Sequence, residues 1–96
     1  MLENGFKTKL IKELKLILPD SLILHLDPNE IQGIPDLLIL CGEKWVALEG
    51  KKNGNASIRP NQEYYVNLMN DMSFARFIYP ENKDEVIDEI IDYLKS

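Results

Sequence analysis

One stretch decides the fold of this chain: residues 33–51, with the sequence GIPDLLILCGEKWVALEGK. It contains two short apolar runs, residues 37–41 and residues 44–48, and the pair Gly42-Glu43 separates them. Short apolar runs divided by a glycine-containing turn are typical of two paired β-strands. The stretch therefore predicts a β-hairpin at the centre of the fold.

The predicted hairpin concentrates chemically active side chains at one edge of the sheet. In an antiparallel pair the start of the first strand lies beside the end of the second, so Asp36 and Glu49 should be neighbours. Side chains alternate along a strand, so Glu49 and Lys51 should point to the same side. The sequence thus predicts that two carboxylates and an ammonium meet at this edge.

Length and composition predict one domain. The 96 residues, 45% of them hydrophobic, suffice for a single core over residues 1–96 and not for two. No apolar run approaches the roughly 20 residues that span a bilayer, and no export signal is recognisable at the N-terminus. Cys41 is the single cysteine, and we expect it to be a buried small hydrophobe in a reducing compartment. A cytoplasmic protein without a membrane partner is expected.

The remaining sequence alternates helices with strands. Apolar residues at helical spacing predict helices over about residues 3–18, over 60–72 and from 82 onward, and short apolar runs predict strands over 21–26 and 74–79. Asn82 with Glu85 three residues later predicts a capping box at the start of the last helix. The order α-β-β-β-α-β-α predicts an α/β sandwich with a mixed sheet.

Charge is distributed unevenly along the chain, whose net charge is −5. Residues 1–52 carry seven lysines and eight acids, whereas residues 53–96 carry four basic residues and eight acids. Basic residues gather on the first helix and around the predicted hairpin edge, and a polyanion could bind on that side. The alternative is that both charge groups are solvated helix faces.

Clustered carboxylates at a sheet edge form a hard, oxygen-rich site that suits Mg²⁺ or Mn²⁺ better than zinc. Such an ion polarises a phosphoryl oxygen and lowers the pKa of bound water. A neighbouring lysine can orient that water or neutralise charge on the phosphate. These roles together describe phosphodiester hydrolysis. The residues alone also allow a structural alternative, in which Asp36 starts a strand and Glu49 with Lys51 forms a surface ion pair.

The sequence resembles the VRR-NUC family of the PD-(D/E)xK nuclease superfamily in three segments. These are Gly33-Ile34-Pro35-Asp36, Glu49-Gly50-Lys51 and Pro60-Asn61-Gln62. The resemblance implies a VRR-NUC-type nuclease domain with a restriction-endonuclease-like α-β-β-β-α-β core. In that core a mixed sheet is flanked by helices, and a C-terminal helix follows.

The resemblance also implies a role for each matching residue. Asp36 and Glu49 would bind the divalent metal, and Lys51 would be catalytic. The backbone carbonyl of Gly50 would complete the metal shell, although this glycine replaces the bulky apolar residue more usual there. Gln62 would position Lys51 or a phosphate.

Further site residues are expected from the resemblance and from charge. A glutamate of the first helix reaches the site in the family, and Glu3 matches it somewhat better than Glu13. DNA contacts are expected from Lys7, Lys52, Arg59 and His25. Tyr64 and Tyr65 fit stacking on a base or, more readily, packing.

The function implied by the resemblance is that of a Mg²⁺- or Mn²⁺-dependent DNA endonuclease. Small stand-alone members resemble Holliday-junction resolvases in acting as dimers, so branched DNA of recombination or repair is the expected substrate. A nuclease for duplex or flapped DNA and a non-catalytic DNA-binding accessory module are the alternatives. The second helix is expected to have an apolar face whose tyrosines and methionines, with Trp45, favour a homodimer. That face comprises Tyr64, Tyr65, Leu68, Met69 and Met72.

Overall fold

The central hairpin forms as the sequence predicts. The computed structural model describes residues 2–96, with side chains from residue 5 onward. Strand β2 (Leu37–Cys41) and strand β3 (Lys44–Gly50) pair antiparallel, with Leu37 opposite Leu48. Gly42 begins the turn between them at a φ of 63°, in the left-handed region that glycine adopts without steric cost.

The other elements follow in the predicted order and complete a mixed sheet. They are α1 (Leu2–Ile17), β1 (Leu22–His25), α2 (Pro60–Met72), β4 (Ala75–Ile78) and α3 (Lys83–Lys95). The sheet order is β1-β2-β3-β4, with β4 parallel to β3 and the other pairs antiparallel. Both outer strands are shorter than predicted. In the part of the chain that the structure describes, no helix is long and apolar enough to cross a membrane.

The two faces of the sheet carry different helices. On one face, α1 and α3 pack on a large apolar cluster, which includes Leu10, Leu14, Leu37, Ile39, Val46, Leu48, Ile78, Val86 and Ile90. On the other face, α2 packs on a smaller cluster centred on Ala47, Val66 and Ala75. The α/β sandwich is therefore asymmetric, with its main core under α1 and α3.

The sequence predicts the wrong buried face for α2. Val66, absent from the predicted face, is the residue that α2 buries, and Met69 packs beside it. Tyr64, Leu68 and Met72 are exposed. The small side chains of Ala47 and Ala75 let the helix lie close to the strands, so there is room for one narrow row of side chains.

The predicted capping box at α3 does not form. Asn82 occupies the N-cap position without a side-chain bond into the helix. Its Oδ1 instead accepts a hydrogen bond from the Tyr79 N–H at 2.8 Å, and its Nδ2 donates to the Phe77 carbonyl at 3.0 Å. The side chain therefore ties the helix start to the end of β4, because asparagine can satisfy backbone groups of a preceding turn as well as those of a helix.

Candidate active site

The hairpin brings Asp36 and Glu49 to one end of the sheet. Asp36 directly precedes β2, and Glu49 is the penultimate residue of β3. Their neighbours Leu37 and Leu48 are paired in the register, so the two acidic residues occupy adjoining positions on neighbouring strands. Both line a polar cavity of about 520 Å³, called here the cationic cavity. It is lined by Lys7, Asp36, Glu49, Gly50, Lys51, Lys52, Asn53, Asn55, Ala56, Ser57, Arg59 and Gln62.

The carboxylate of Asp36 is held from two sides. Its Oδ2 accepts a hydrogen bond from the Gly50 N–H at 2.9 Å, and the Lys7 ammonium lies 3.6 Å from its Oδ1. A Cβ atom on Gly50 would lie 3.3 Å from the Lys7 side chain and 3.4 Å from Asp36 Oδ2. The glycine thus leaves the space through which Lys7 of α1 reaches the carboxylate, where a bulkier residue would press on both.

Glu49 is the charged residue that the fold buries, in the part of the chain that is described. Its exposure is 5%, yet it lines the cavity. The Gln62 Nε2 lies 3.5 Å from its Oε2, at the long limit of a hydrogen bond. Burying a carboxylate is costly unless hydrogen bonds or a cation compensate it, so a buried acid at the wall of a polar cavity is an unusual feature of this fold.

Gln62 connects the acidic group to Lys51. Its Oε1 accepts one hydrogen bond from the Lys51 ammonium at 2.7 Å and a second from the Arg59 backbone N–H at 3.1 Å. Two donors on one oxygen fix the orientation of the amide and leave its NH₂ group for Glu49. Arg59 is the N-cap residue of α2 and Gln62 is the third helical residue, so a helix cap sets the position of Lys51.

The predicted DNA-contacting residues separate into two groups. Lys7, Lys52 and Arg59 all line the cationic cavity. His25 does not: it is opposite Leu37 in β1, on the face of the large cluster, whereas Glu49 lies on the face that α2 covers. Strand alternation therefore directs His25 away from the carboxylates.

The glutamate expected from α1 is not identified among the described side chains. Glu13 forms an ion pair with Lys83 at 2.8 Å and does not line the cationic cavity. This hydrogen bond to Glu13 raises the pKa of the Lys83 ammonium above its ordinary value. The side chain of Glu3 lies outside the described part of the chain.

A second cavity adjoins the first and was not predicted. Its volume is about 320 Å³, and it shares Asp36, Glu49, Arg59 and Gln62 with the cationic cavity. Three amide side chains distinguish it, those of Asn29, Gln32 and Asn61, and we call it the amide cavity. Isolated amides, two in a loop and one in the first turn of α2, give no sequence signal. The one sequence clue is the glycine at position 33, because its φ of 93° in the structure is one that other residues rarely adopt.

The donor set at the sheet end fits a hard divalent cation. Two carboxylates, those of Asp36 and Glu49, would supply the acidic oxygens. Among the described residues no group of three or more His, Cys, Asp or Glu side chains is placed to hold a metal ion. Mg²⁺ is commonly bound by one or two carboxylates and keeps several waters, with substrate phosphates as further ligands. The buried carboxylate of Glu49, opening onto a polar cavity, matches that mode of binding. Carbonyl oxygens such as that of Gly50 are of the same hard type.

Replacing Gln62 with alanine should destabilise the protein by about 1 kcal/mol. The change removes the acceptor of the Arg59 N–H at the start of α2 and the partner of Lys51. Urea unfolding of both proteins measures the difference. Asn67→Ala, which truncates an exposed amide on the same helix, should leave stability equal or slightly higher because alanine is the better helix former. Equal stability of Gln62→Ala and the parent protein would contradict the capping role.

Comparisons with known proteins bear on the fold. No protein-family model matches the sequence, and no curated protein matches it. Among solved structures the chain is similar to a VRR_NUC domain protein, with a TM-score of 0.70 and 20% sequence identity over 99% of this chain and 89% of that chain. The architecture that the three segments predicted is confirmed by this likeness. The chain has the VRR-NUC fold.

Proposed function

We propose that this protein is a divalent-metal-dependent DNA endonuclease that hydrolyses phosphodiester bonds. The observation that carries the proposal is the buried carboxylate of Glu49 in one polar cavity with Asp36 and Lys51. An acid kept buried at the rim of a cavity, beside a second acid and an ammonium, is characteristic of a catalytic site. The nuclease-type fold of the similar structure supports the same activity.

The residues divide the chemistry among them. A bound Mg²⁺ or Mn²⁺ ion would polarise the phosphoryl oxygen and supply an activated water. Asp36 and Glu49 would hold that ion, the former kept in place by the Gly50 N–H. Lys51, oriented by Gln62, would direct its ammonium towards the attacking water or the negative charge that develops on the phosphate.

The cationic residues of the cavity would bind the DNA backbone. Lys7, Lys52 and Arg59 lie around the carboxylates, and a polyanion that binds there would be attracted locally despite the net charge of −5. Each cation that neutralises a phosphate adds to the salt dependence of binding. Weak binding that declines steeply with salt is therefore expected.

Branched DNA is the proposed substrate, and a homodimer is the proposed active form. Two sites related by a two-fold axis would cut symmetrically related strands of a four-way junction, so the geometry of the dimer would select the substrate. Duplex or flapped DNA would require no such symmetry. An accessory module would bind DNA without cleaving it.

An uncovered apolar surface supports dimer formation. Helix α2 covers β3 and β4, and the same face of β1 carries Leu22 and Leu24, which are 56% and 37% exposed. Leu68 and Met72 of α2 are exposed as well. Several exposed large apolar side chains on the same face of a small chain are typical of an interface, and a symmetric dimer would pair that face with itself.

Replacing Leu22 and Leu24 together with lysine should convert the dimer to a monomer of 11.1 kDa. Removing two leucines from an interface costs about 3 kcal/mol or more, which weakens association by at least about 100-fold. Light scattering over a concentration series measures the mass. Leu16→Lys changes a leucine that is 84% exposed on α1 and should leave the mass unchanged. A parent protein that is already monomeric would refute the dimer.

Incubation with synthetic DNA tests the activity. A four-way junction, a linear duplex and a flap are offered in Mn²⁺, in Mg²⁺ and in EDTA. We expect cleavage that needs the metal and is fastest on the junction. If the duplex or the flap were cleaved fastest, that DNA would be the preferred substrate instead of the junction, and the proposed endonuclease activity would stand. Binding without cleavage in either metal would favour the accessory module.

A further inference from the structure

We propose that the amide cavity binds a nucleobase next to the cleaved phosphodiester bond and favours adenine there. The inference rests on the proposed function and gives it a sequence preference. Asn29, Gln32 and Asn61 are the residues that would contact the base.

The placement of the two cavities defines a path for one DNA strand. Asp36, Glu49, Arg59 and Gln62 form the wall that the cavities share. A phosphate bound on the cationic side of this wall, among lysines and Arg59, therefore places an adjoining nucleoside on the amide side. The amide cavity, at about 320 Å³, lies at the lower end of the size range of small-ligand pockets.

The amide cavity offers fewer cations to a phosphate than the cationic cavity does. The lysines of the first cavity are absent from the lining of the second, and the two shared carboxylates remain. Arg59 is the one cationic residue among its lining residues in the described part of the chain. Among the described lining residues the amide side thus has no cation of its own, because Arg59 is shared with the cationic cavity. A phosphate is held better among the lysines of the cationic cavity, whereas a base or sugar carries no charge and needs no cation.

The three amides are available for recognition. Among the described residues, no hydrogen bond engages the side-chain amides of Asn29, Gln32 and Asn61. Other amides of the fold are occupied, such as that of Asn70, which accepts from the Ala75 N–H at 3.1 Å. Several unoccupied amides around one cavity each offer both a donor and an acceptor to a ligand.

The walls of the amide cavity are held in place before any ligand binds. The Asp27 side chain accepts a hydrogen bond from the Asn29 N–H at 2.9 Å, and the Ile31 carbonyl accepts one from the Ile34 N–H at 3.1 Å. Gly33 brings this loop against α2 so closely that a Cβ atom there would lie 2.7 Å from the Asn61 backbone. Preformed walls reduce the entropy lost when a base binds.

Adenine is the base that amide side chains recognise best. Asparagine and glutamine can donate to its N7 and accept from its N6 amino group in a bidentate pair, and a good pair of this kind discriminates against other bases by about fivefold or more. Cytosine is matched best by a carboxylate acceptor and guanine by a cationic donor. Asp36, Glu49 and Arg59 also line this cavity, but in the proposed function they hold the metal ion and the phosphate. The three amides that remain for the base favour adenine.

A junction with randomised nucleotides around its branch point tests the preference. Cleavage products are sequenced, and the base composition is compared at each position relative to the cut. We expect adenine to be enriched by at least about fivefold at one fixed position. The enrichment should be lost in Gln32→Ala, whose side chain is exposed, and in Asn61→Ala, and it should persist in Asn67→Ala, whose amide lines neither cavity.

The total yield of cleaved DNA tests the proposed nuclease activity, and the base composition at the cut tests the proposed adenine preference. A parent protein that cuts without any base preference overturns the inference alone. A preference that survives both Gln32→Ala and Asn61→Ala, with their folds verified by thermal unfolding, also overturns it. A parent protein that cuts none of the substrates in Mn²⁺ overturns the proposed function, and the inference with it.

Discussion

Lys51→Met should lower the rate of DNA cleavage by at least about 100-fold while leaving the fold and metal binding intact. The Lys51 ammonium is 2.7 Å from Gln62 Oε1 in a cavity with both carboxylates, so it is the positive charge best placed to act on water or phosphate. Methionine fills similar space without the charge. Its introduction strands no acceptor, because the Arg59 N–H still donates to Gln62 Oε1.

Single-turnover cleavage of a junction in Mn²⁺ measures this effect separately from DNA binding. Lys15→Met is the matched control, since it removes the same charge at an exposed position of α1 away from the cavity. Lys52→Met should mainly weaken DNA binding and make it less sensitive to salt. If Lys51→Met and Lys52→Met lowered the single-turnover rate equally, Lys51 would be a phosphate contact and not a catalytic residue.

The hairpin was predictable because its local signals and its long-range pairing agree. Two apolar runs joined by a turn containing Gly42 specify both the strands and their register, and the register fixes where Asp36 and Glu49 lie. The orientation of α2 was not predictable in the same way. Periodicity identifies a helix but does not show that Ala47 and Ala75 form the surface beneath it, and those residues are distant in sequence.

The site was predictable where it follows from strand geometry and from the resemblance. The contact between Gln62 and Lys51 agrees with the expected positioning role, which remains a prediction. The ion pair of Lys7 with Asp36 depends on residue 50 being a glycine, which leaves room for the lysine side chain. The sequence did not show this packing relation. The amide cavity requires a loop to fold back on α2 at Gly33, and a loop path of this kind has no periodic signal.

Glu49→Gln should abolish most of the stabilisation that Mn²⁺ confers on the protein. An ion that binds only the folded state at 100 times its dissociation constant stabilises that state by about 2.7 kcal/mol. For a domain of this size the gain corresponds to a rise in Tm of roughly 10–20 °C. Glutamine keeps the shape of Glu49 and an oxygen that can accept from Gln62 Nε2, but it removes the charge that a cation needs.

The metal-free variant should unfold in one cooperative transition, as the metal-free parent protein does, because glutamine has nearly the shape of glutamate at a position that is 5% exposed. Each protein in EDTA is therefore the reference for its own rise in Tm. Thermal unfolding with Mn²⁺ and with EDTA gives, for each protein, the Tm of the metal-free form and the rise in Tm that the metal causes. Glu43→Gln, at the exposed turn of the same hairpin, should retain the full Mn²⁺-dependent rise. A rise that persists unchanged in Glu49→Gln would mean that the cation binds elsewhere, and the buried acid would then need a purely structural explanation.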